Sequence, residues 1–177
     1  MVSSTADTLA TADDTTIPTS TPTLILFCTT NATEPVALVG SLAKSGVRLI
    51  VRPQLLADAQ APSADVVQRL RAEIQAQAPT AVLATDPWPL AMAALTAALQ
   101  TQCPFLCRLG EALDLTQAGE AALDRYATIA QAADCMLLSS AAQHRILTAQ
   151  GVEPSKLHLA AELQAQVDAL LAFLRSL

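Results

Sequence analysis

Residues 133–159 read ADCMLLSSAAQHRILTAQGVEPSKLHL, a stretch in which two short apolar runs flank a helical one. The run from Cys135 to Leu138 is continuous and apolar, which is typical of a strand buried on both faces of a sheet. The serine pair that follows is placed to cap a helix, and Gly151 is suited to end it. A further strand is predicted from Lys156 to Leu159, so the stretch predicts a strand–helix–strand unit.

The same alternation runs through the chain from Thr23 onward. Strands are also predicted at 24–28, 47–51, 81–84 and 104–108, and helices at 36–44, 64–78, 88–99, 120–133 and 162–177. Strands that alternate with helices of this length indicate parallel βαβ units with right-handed crossovers. We therefore predict the α/β class: a three-layer α/β/α, Rossmann-like domain with a mostly parallel sheet of about six strands.

Composition sets the domain organisation. Residues 1–22 are rich in Thr, Ser, Ala and Asp and form a polar N-terminal tail, while residues 23–177 form a single Rossmann-like domain. The longest apolar run, Leu90 to Leu99, is far shorter than the roughly 20 residues that span a bilayer, so no transmembrane segment is expected. The start of the chain lacks a basic region followed by an apolar core, which argues against a secretory signal and favours the cytoplasm.

Charge and cysteine usage exclude several classes of partner and cofactor. The formal net charge of −6 and the 3% content of aromatic residues argue against a nucleic-acid-binding surface. Cys103 and Cys107 are spaced as C-x3-C, but no second pair accompanies them, so we expect reduced thiols and no metal site. No cofactor is predicted either.

Ligands of parallel sheets bind beyond the carboxyl ends of the strands, which singles out four loops. In the first loop, Thr29, Thr30 and Asn31 offer hydroxyl and amide groups ahead of a helix and are candidates for holding an anion. The loop has no glycine, so it is neither a dinucleotide fingerprint nor a Walker loop, although it resembles the Ser/Thr-rich phosphate loop of flavodoxins. The alternative is that Asn31 or Thr33 caps the helix, with Pro35 in its first turn.

The second loop contains Asp86 and Trp88, the only tryptophan in the chain. The indole ring is a candidate for stacking on a sugar or a flavin, and Asp86 is a candidate acceptor of hydrogen bonds from hydroxyls. In the alternative interpretation Asp86 caps the following helix and Trp88 anchors that helix to the domain.

The third and fourth loops supply the other candidate ligand-binding residues. Gly110 allows a ligand to approach the backbone closely, and Glu111 beside it is a candidate polar contact or a helix cap. Ser139 and Ser140 follow the fifth predicted strand at the same edge. The two histidines are far apart in sequence and no catalytic triad is visible, so no catalytic residue is assigned.

Two motifs carry a resemblance to a known family. The turn from Ala133 to Ser140 fits the pattern Ala-Asp-x-hydrophobic-x-x-Ser-Ser, and residues 151–157 fit Gly-Val-x-Pro-x-Lys-hydrophobic. Together they resemble the last unit in the N-terminal, acceptor-side domain of GT-B-fold retaining glycosyltransferases, over roughly 78–159. Similar units occur in sugar-nucleotide epimerases of the same fold. In the glycosyltransferase family a second domain follows and binds the donor sugar.

The chain departs from this family at three places. The glycine-rich loop after the first strand is absent, Leu109-Gly110 replaces a His-Gly loop, and Ala160-Ala161-Glu162 replaces a Pro-Asn-Gly segment. Only one more helix is predicted beyond that point. The resemblance therefore implies a glycosyltransferase-like N-terminal domain that is not catalytic alone, and that binds a small polar ligand or a separate donor-domain protein.

Two alternatives belong to other classes. The last helix places Leu163, Val167, Leu170, Leu174 and Leu177 at alternating spacings of four and three, which indicates either packing on the sheet or a homodimer surface. A non-catalytic interaction or assembly module using this helix is therefore the first alternative. The second, weaker one is a flavodoxin-like flavin binder.

Overall fold

The computed structural model describes residues 21–29, 35–54, 62–85 and 88–177. Three residues of the predicted site, Thr30, Asn31 and Asp86, lie outside the described residues. Residues 1–20 of the predicted N-terminal tail also lie outside them.

 The predicted division into a tail and a single domain therefore stays a prediction.

Within the described residues the chain forms six strands and six α-helices, in strict alternation. The strands are β1 Thr23–Thr29, β2 Arg48–Gln54, β3 Ala81–Ala84, β4 Phe105–Leu109, β5 Cys135–Leu138 and β6 Leu157–Leu159. The helices are α1 Pro35–Lys44, α2 Ala64–Gln77, α3 Leu90–Thr101, α4 Glu120–Ala132, α5 Ala141–Ala149 and α6 Leu163–Ser176. The predicted α/β class with six strands is confirmed.

All five strand pairs are parallel, in the order β2-β1-β3-β4-β5-β6. The prediction of a mostly parallel sheet is thus sharpened to a fully parallel one. Strands β3, β4 and β5 lie in the middle of the order, and every one of their residues is buried. Burial on both faces explains why β3 and β5 are continuous apolar runs in the sequence and why β4 is apolar apart from Arg108.

Local signals in the sequence set the ends of several helices. The Ser63 hydroxyl accepts a hydrogen bond from the N–H of Val66 at the start of α2, and Ala78 ends that helix with φ of 43°. Ser140 and Gln143 form a reciprocal capping box at the start of α5. Beyond the end of α5, Gly151 adopts φ of +80°, a conformation that glycine reaches without strain.

The start of α3 differs from the prediction. The helix begins at Leu90, not at Trp88, and Pro89 is its cap. A residue that precedes proline is disfavoured in the helical region, because the proline ring collides with its backbone. Trp88 therefore stays in the turn before the helix, and Pro89 supplies the first carbonyl, which accepts from the N–H of Ala93 at 3.1 Å.

The sheet separates two apolar cores. Ile25 and Phe27 of β1 face the layer that contains α2, α3, α4 and α5. Leu24 and Leu26 of the same strand face α1 and α6 on the opposite side. This alternation is the period of two that a strand imposes on its side chains. The fold is therefore a three-layer α/β/α arrangement, in which two of the six helices in the described residues lie on one face.

Helix α6 packs on the sheet through the inner residues of its apolar stripe. Val167, Leu170 and Leu174 are buried in the core between α6, α1 and the strands. Leu163 and Leu177, at the two ends of the helix, are exposed. Along the described parts of the chain, no helix combines the length and the apolar character that crossing a membrane requires.

We predict that Leu170→Ala lowers the free energy of unfolding by about 2–5 kcal/mol, because it opens a cavity where the side chain is fully buried. The matched control is Leu177→Ala at the cap that follows the same helix, which should change the free energy of unfolding by less than about 0.5 kcal/mol because Leu177 is 57% exposed. Urea denaturation of both variants measures the difference. Equal effects would mean that α6 does not pack as described.

Candidate functional site

The strand order creates a switch point between β1 and β3. These strands are neighbours, yet the helices that follow them, α1 and α3, pack on opposite faces of the sheet. In doubly wound sheets the crevice at such a point, beyond the carboxyl ends of the strands, is the usual ligand site. Thr29 is the last residue of β1, and Thr85 follows β3 directly.

Gln143 connects the loops after β4 and β5. Its side-chain oxygen accepts hydrogen bonds from the backbone N–H groups of Ser139 (3.0 Å) and Ser140 (3.3 Å). Its amide nitrogen donates to the carbonyls of Gly110 (3.1 Å) and Leu113 (3.0 Å). One buried amide therefore satisfies four backbone groups and brings Gly110, Ser139 and Ser140 together, as the sequence predicted for this edge.

The two serine hydroxyls are engaged within the fold. The Ser139 hydroxyl is buried and donates to the carbonyl of Leu109 at 3.0 Å. The Ser140 hydroxyl accepts from the N–H of Gln143 at 3.2 Å, which caps α5. Both side chains thus stabilise the edge of the sheet, and a direct ligand contact by either stays a prediction.

Trp88 lies at the same edge, where Arg125 covers its ring. The ring is half-buried and packs against the core on the α3 side of the sheet. The guanidinium carbon of Arg125, on α4, lies 5.2 Å from the ring centroid, within the range of a cation–π contact. A sugar or flavin that stacks on Trp88 must therefore use the part of the ring that Arg125 leaves open.

The loop after β4 is polar and exposed. Glu111 points into solvent-accessible space beside Gly110, so it is available to a ligand. Asp114 instead stabilises a short turn, since its carboxylate accepts from the hydroxyl (2.6 Å) and the N–H (2.9 Å) of Thr116. These hydrogen bonds lower the pKa of Asp114, and the bond from the Thr116 hydroxyl has the larger effect.

Arg108 is a polar residue of this edge that the sequence pattern identifies only as part of a strand. Arg108 lies near the carboxyl end of β4 and is 8% exposed. Its Nε donates to the side-chain oxygen of Gln166 on α6 at 2.7 Å, and the amide of Gln166 donates to the carbonyl of Ala160 at 3.0 Å. The signal was present: a single charged residue within an otherwise apolar central strand.

Thr85 is the second residue that sequence reasoning missed. It is 8% exposed, and its N–H continues the ladder by donating to the carbonyl of Phe27 at 3.3 Å. Its hydroxyl oxygen is buried and has no hydrogen-bond partner within the described part of the chain. Burying a hydroxyl without a hydrogen bond costs free energy, so the position of the Thr85 side chain requires an explanation.

A separate cavity of about 260 Å³ opens at the opposite, amino edge of the sheet, between the ends of α2 and α3. Its only cysteine is Cys103, whose thiol donates to the carbonyl of Pro79 at 3.7 Å. Burial, with a smaller contribution from Asp134, raises the pKa of Cys103 to about 11. The thiol is therefore protonated at neutral pH and is not an activated nucleophile.

Among the described residues no cluster of His, Cys, Asp or Glu could hold a metal ion.

Comparison with known proteins supplies structural relatives only. No family model matches the chain, and no curated protein matches its sequence. The fold is similar to S. aureus MnaA solved with UDP (TM-score 0.63, 16% identity, 79% of this chain and 44% of that one). It is also similar to the UDP-N-acetylglucosamine 2-epimerase of Rickettsia bellii (TM-score 0.62, 15% identity, 87% of this chain and 48% of that one). For the UDP-GlcNAc 2-epimerase of Methanocaldococcus jannaschii the TM-score is 0.60 at 10% identity, over 88% of this chain and 52% of that one.

These likenesses show a shared fold. The chain spans about half the length of the solved structures it matches, so it has the fold of one half of a GT-B-like protein. The predicted resemblance is confirmed as a GT-B-like half-domain, and two of these three structures are UDP-N-acetylglucosamine 2-epimerases.

We predict that Gln143→Ala lowers the free energy of unfolding by about 2 kcal/mol or more, because buried backbone groups of two loops lose their partner. Gln131→Ala is the matched control, since Gln131 is exposed on α4 and should change stability by less than about 0.5 kcal/mol. Chemical denaturation measures both. A neutral Gln143→Ala would show that the loops are held by other contacts.

A second prediction contrasts two threonines at opposite ends of β3. Thr85→Val should leave the free energy of unfolding unchanged or raise it by up to about 1 kcal/mol, because it removes a buried hydroxyl without a partner. Thr80→Val should lower it by about 1 kcal/mol, because the Thr80 hydroxyl accepts from the N–H of Thr23 at 3.0 Å. Thermal and urea unfolding compare the pair. A clear loss of stability in Thr85→Val would mean that its hydroxyl is engaged in the folded protein.

Proposed function

We propose that this chain is the acceptor-side half of a GT-B-like protein and contributes the carboxyl edge of its sheet to the binding of a nucleotide sugar. The observation that carries the proposal is a fully parallel sheet with buried polar groups at the carboxyl ends of two central strands. Thr85 follows β3 at the switch point, and Arg108 lies on the neighbouring strand β4. Ligands of such sheets bind at this edge, and the candidate residues Thr29, Trp88 and Gly110 follow the same strands.

The structural relatives support the class of ligand. MnaA of S. aureus was solved with UDP, and the other two relatives are named for an epimerisation of UDP-GlcNAc. Because identity is 10–16%, the ligand is carried over only as a proposal. Within this proposal the chain is an acceptor-side, glycosyltransferase-like domain, as its motifs suggest. The candidate contacts Thr30, Asn31 and Asp86 belong to it as well.

We assign no catalytic residue to the chain. In the proposal, any sugar chemistry requires a second, donor-side domain, supplied by a separate protein in the cytoplasm. An interaction role through α6 is the alternative, and the exposed Leu159 and Leu163 near the start of that helix favour it. A flavin-binding role is a further alternative, because the first five strands follow the flavodoxin order 2-1-3-4-5.

The test uses Trp88, the only tryptophan, as a reporter at the carboxyl edge. Titration of the protein with UDP-GlcNAc, UDP and flavin mononucleotide should give a saturable change in Trp88 fluorescence for the two uridine ligands. The same ligands should raise the melting temperature, because a ligand at 100 times its Kd stabilises the folded state by about 2.7 kcal/mol.

The control moves the reporter to the amino edge. In the double variant Trp88→Phe, Gln75→Trp the tryptophan lines the 260 Å³ cavity, and its fluorescence should not respond to UDP-GlcNAc. A response there, with none at Trp88, would place the ligand at the wrong edge for the proposal. The absence of any thermal or fluorescence response to uridine ligands would reject it, and a response to flavin mononucleotide alone would favour the flavin binder.

A further inference from the structure

We propose that Thr85 and Arg108 form a phosphate-binding pocket on the face of the sheet covered by α1 and α6. The inference rests on the proposed function, since the pocket would hold a phosphate group of the nucleotide sugar. It names the part of the edge that binds the ligand's charge, and neither residue is among those predicted from the sequence.

The strand register places these two residues side by side. Ala84 of β3 pairs with Cys107 of β4, so the next positions along the two strands are Thr85 and Arg108. Leu83 and Leu106, two residues earlier in each strand, both belong to the core under α1 and α6. Because side chains alternate along a strand, Thr85 and Arg108 face the same side as these leucines.

The Thr85 hydroxyl is the first observation that points to a ligand. It is more than nine-tenths buried, and its oxygen has no hydrogen-bond partner among the described residues. A hydroxyl donates one hydrogen bond and accepts two, so leaving it buried and unsatisfied costs free energy. An anion seated beside Thr85 would accept its proton and remove that cost.

Arg108 supplies the charge, and Gln166 fixes its orientation. The hydrogen bond of 2.7 Å from Nε to the side-chain oxygen of Gln166 holds the plane of the guanidinium. Gln166 is itself buried and is held by the carbonyl of Ala160. The amide of Gln166 is neutral, so this contact orients the guanidinium through a hydrogen bond and not through an ion pair. A guanidinium held in this way suits the oxygens of a phosphate.

Two helices begin at the same edge and on the same face. Helices α1 and α6 follow the carboxyl ends of β1 and β6 and pack together on the Leu24 side of the sheet. Neither helix has an acidic residue in its first turn. Glu162 is the N-cap residue of α6, however, so its carboxylate offsets part of that helix's dipole. The affinity for an anion at this place therefore depends on Arg108 and Thr85 more than on the helix ends.

The experiment measures binding of inorganic phosphate by calorimetry and thermal shift, with sodium chloride at matched ionic strength as the salt control. We expect saturable binding to the wild-type protein. Thr85→Val should weaken it about tenfold, the effect of losing one hydrogen bond to a charged group. Arg108→Lys, which keeps the charge and removes the planar fork, should weaken it at least as much.

Thr80→Val is the matched control, because Thr80 precedes β3 at the end opposite to Thr85. This variant should bind phosphate as the wild-type protein does. If Arg108→Lys does not fold, Thr85→Val still decides the question. Phosphate binding that is the same in Thr85→Val and Thr80→Val would overturn the pocket. Failure of the wild type to bind phosphate at all, or tighter binding of acetate than of phosphate, would also overturn it.

Titration of the same variants with UDP-GlcNAc separates this inference from the proposed function. If UDP-GlcNAc binds and both Thr85→Val and Arg108→Lys bind it unchanged, the pocket is wrong and the function stands. If phosphate binding depends on Thr85 but UDP-GlcNAc does not bind, the pocket stands and the nucleotide-sugar function is wrong. Equal loss of phosphate and UDP-GlcNAc affinity in Thr85→Val supports both.

Discussion

The sheet has two apolar faces, and the need to cover both of them determines the rest of the structure. The central strands are buried on each side, so water must be excluded from each. Of the helices that the structure describes, four cover one face, and α1 and α6 cover the other. Helix α6 must therefore return over the sheet after the last strand. Its buried Val167, Leu170 and Leu174 follow from that requirement, and the polar contact between Gln166 and Arg108 fixes its position at the carboxyl edge.

Hydrogen bonding distinguishes two kinds of polar residue at that edge. Ser139, Ser140 and Gln143 satisfy one another and the backbone of two loops, so the fold alone accounts for their presence. Thr85 is equally buried, but no hydrogen bond to its hydroxyl within the described residues accounts for it. Packing explains the first group completely. A ligand is needed to explain only a buried polar group that the fold leaves without a hydrogen bond. Thr85 is such a group, whereas the two serines are not.

The sequence predicted elements better than contacts. Residues 81–84 and 135–138 were placed as strands with their observed bounds, because a continuous apolar run between turn residues has one common interpretation. The apolar pattern predicts the start of α3 too early, because hydrophobic periodicity does not contain the restriction that Pro89 imposes on the backbone of Trp88. Arg108 and Gln166 are 58 positions apart, and neither periodicity nor local motifs can show that they meet. The candidate site was thus predictable as an edge of the sheet but not as a set of contacting side chains.

The two ends of the sheet also differ in the charge they favour. The 260 Å³ cavity at the amino edge lies where α2 and α3 end, so the carbonyl ends of both helices face it. Their dipoles disfavour an anion there, and the protonated thiol of Cys103 adds no positive charge. At the carboxyl edge α1 and α6 begin, and the buried guanidinium of Arg108 contacts α6 through Gln166. The chain direction of the helices therefore disfavours an anion in the open cavity of the amino edge, which is consistent with the proposed phosphate site at the carboxyl edge.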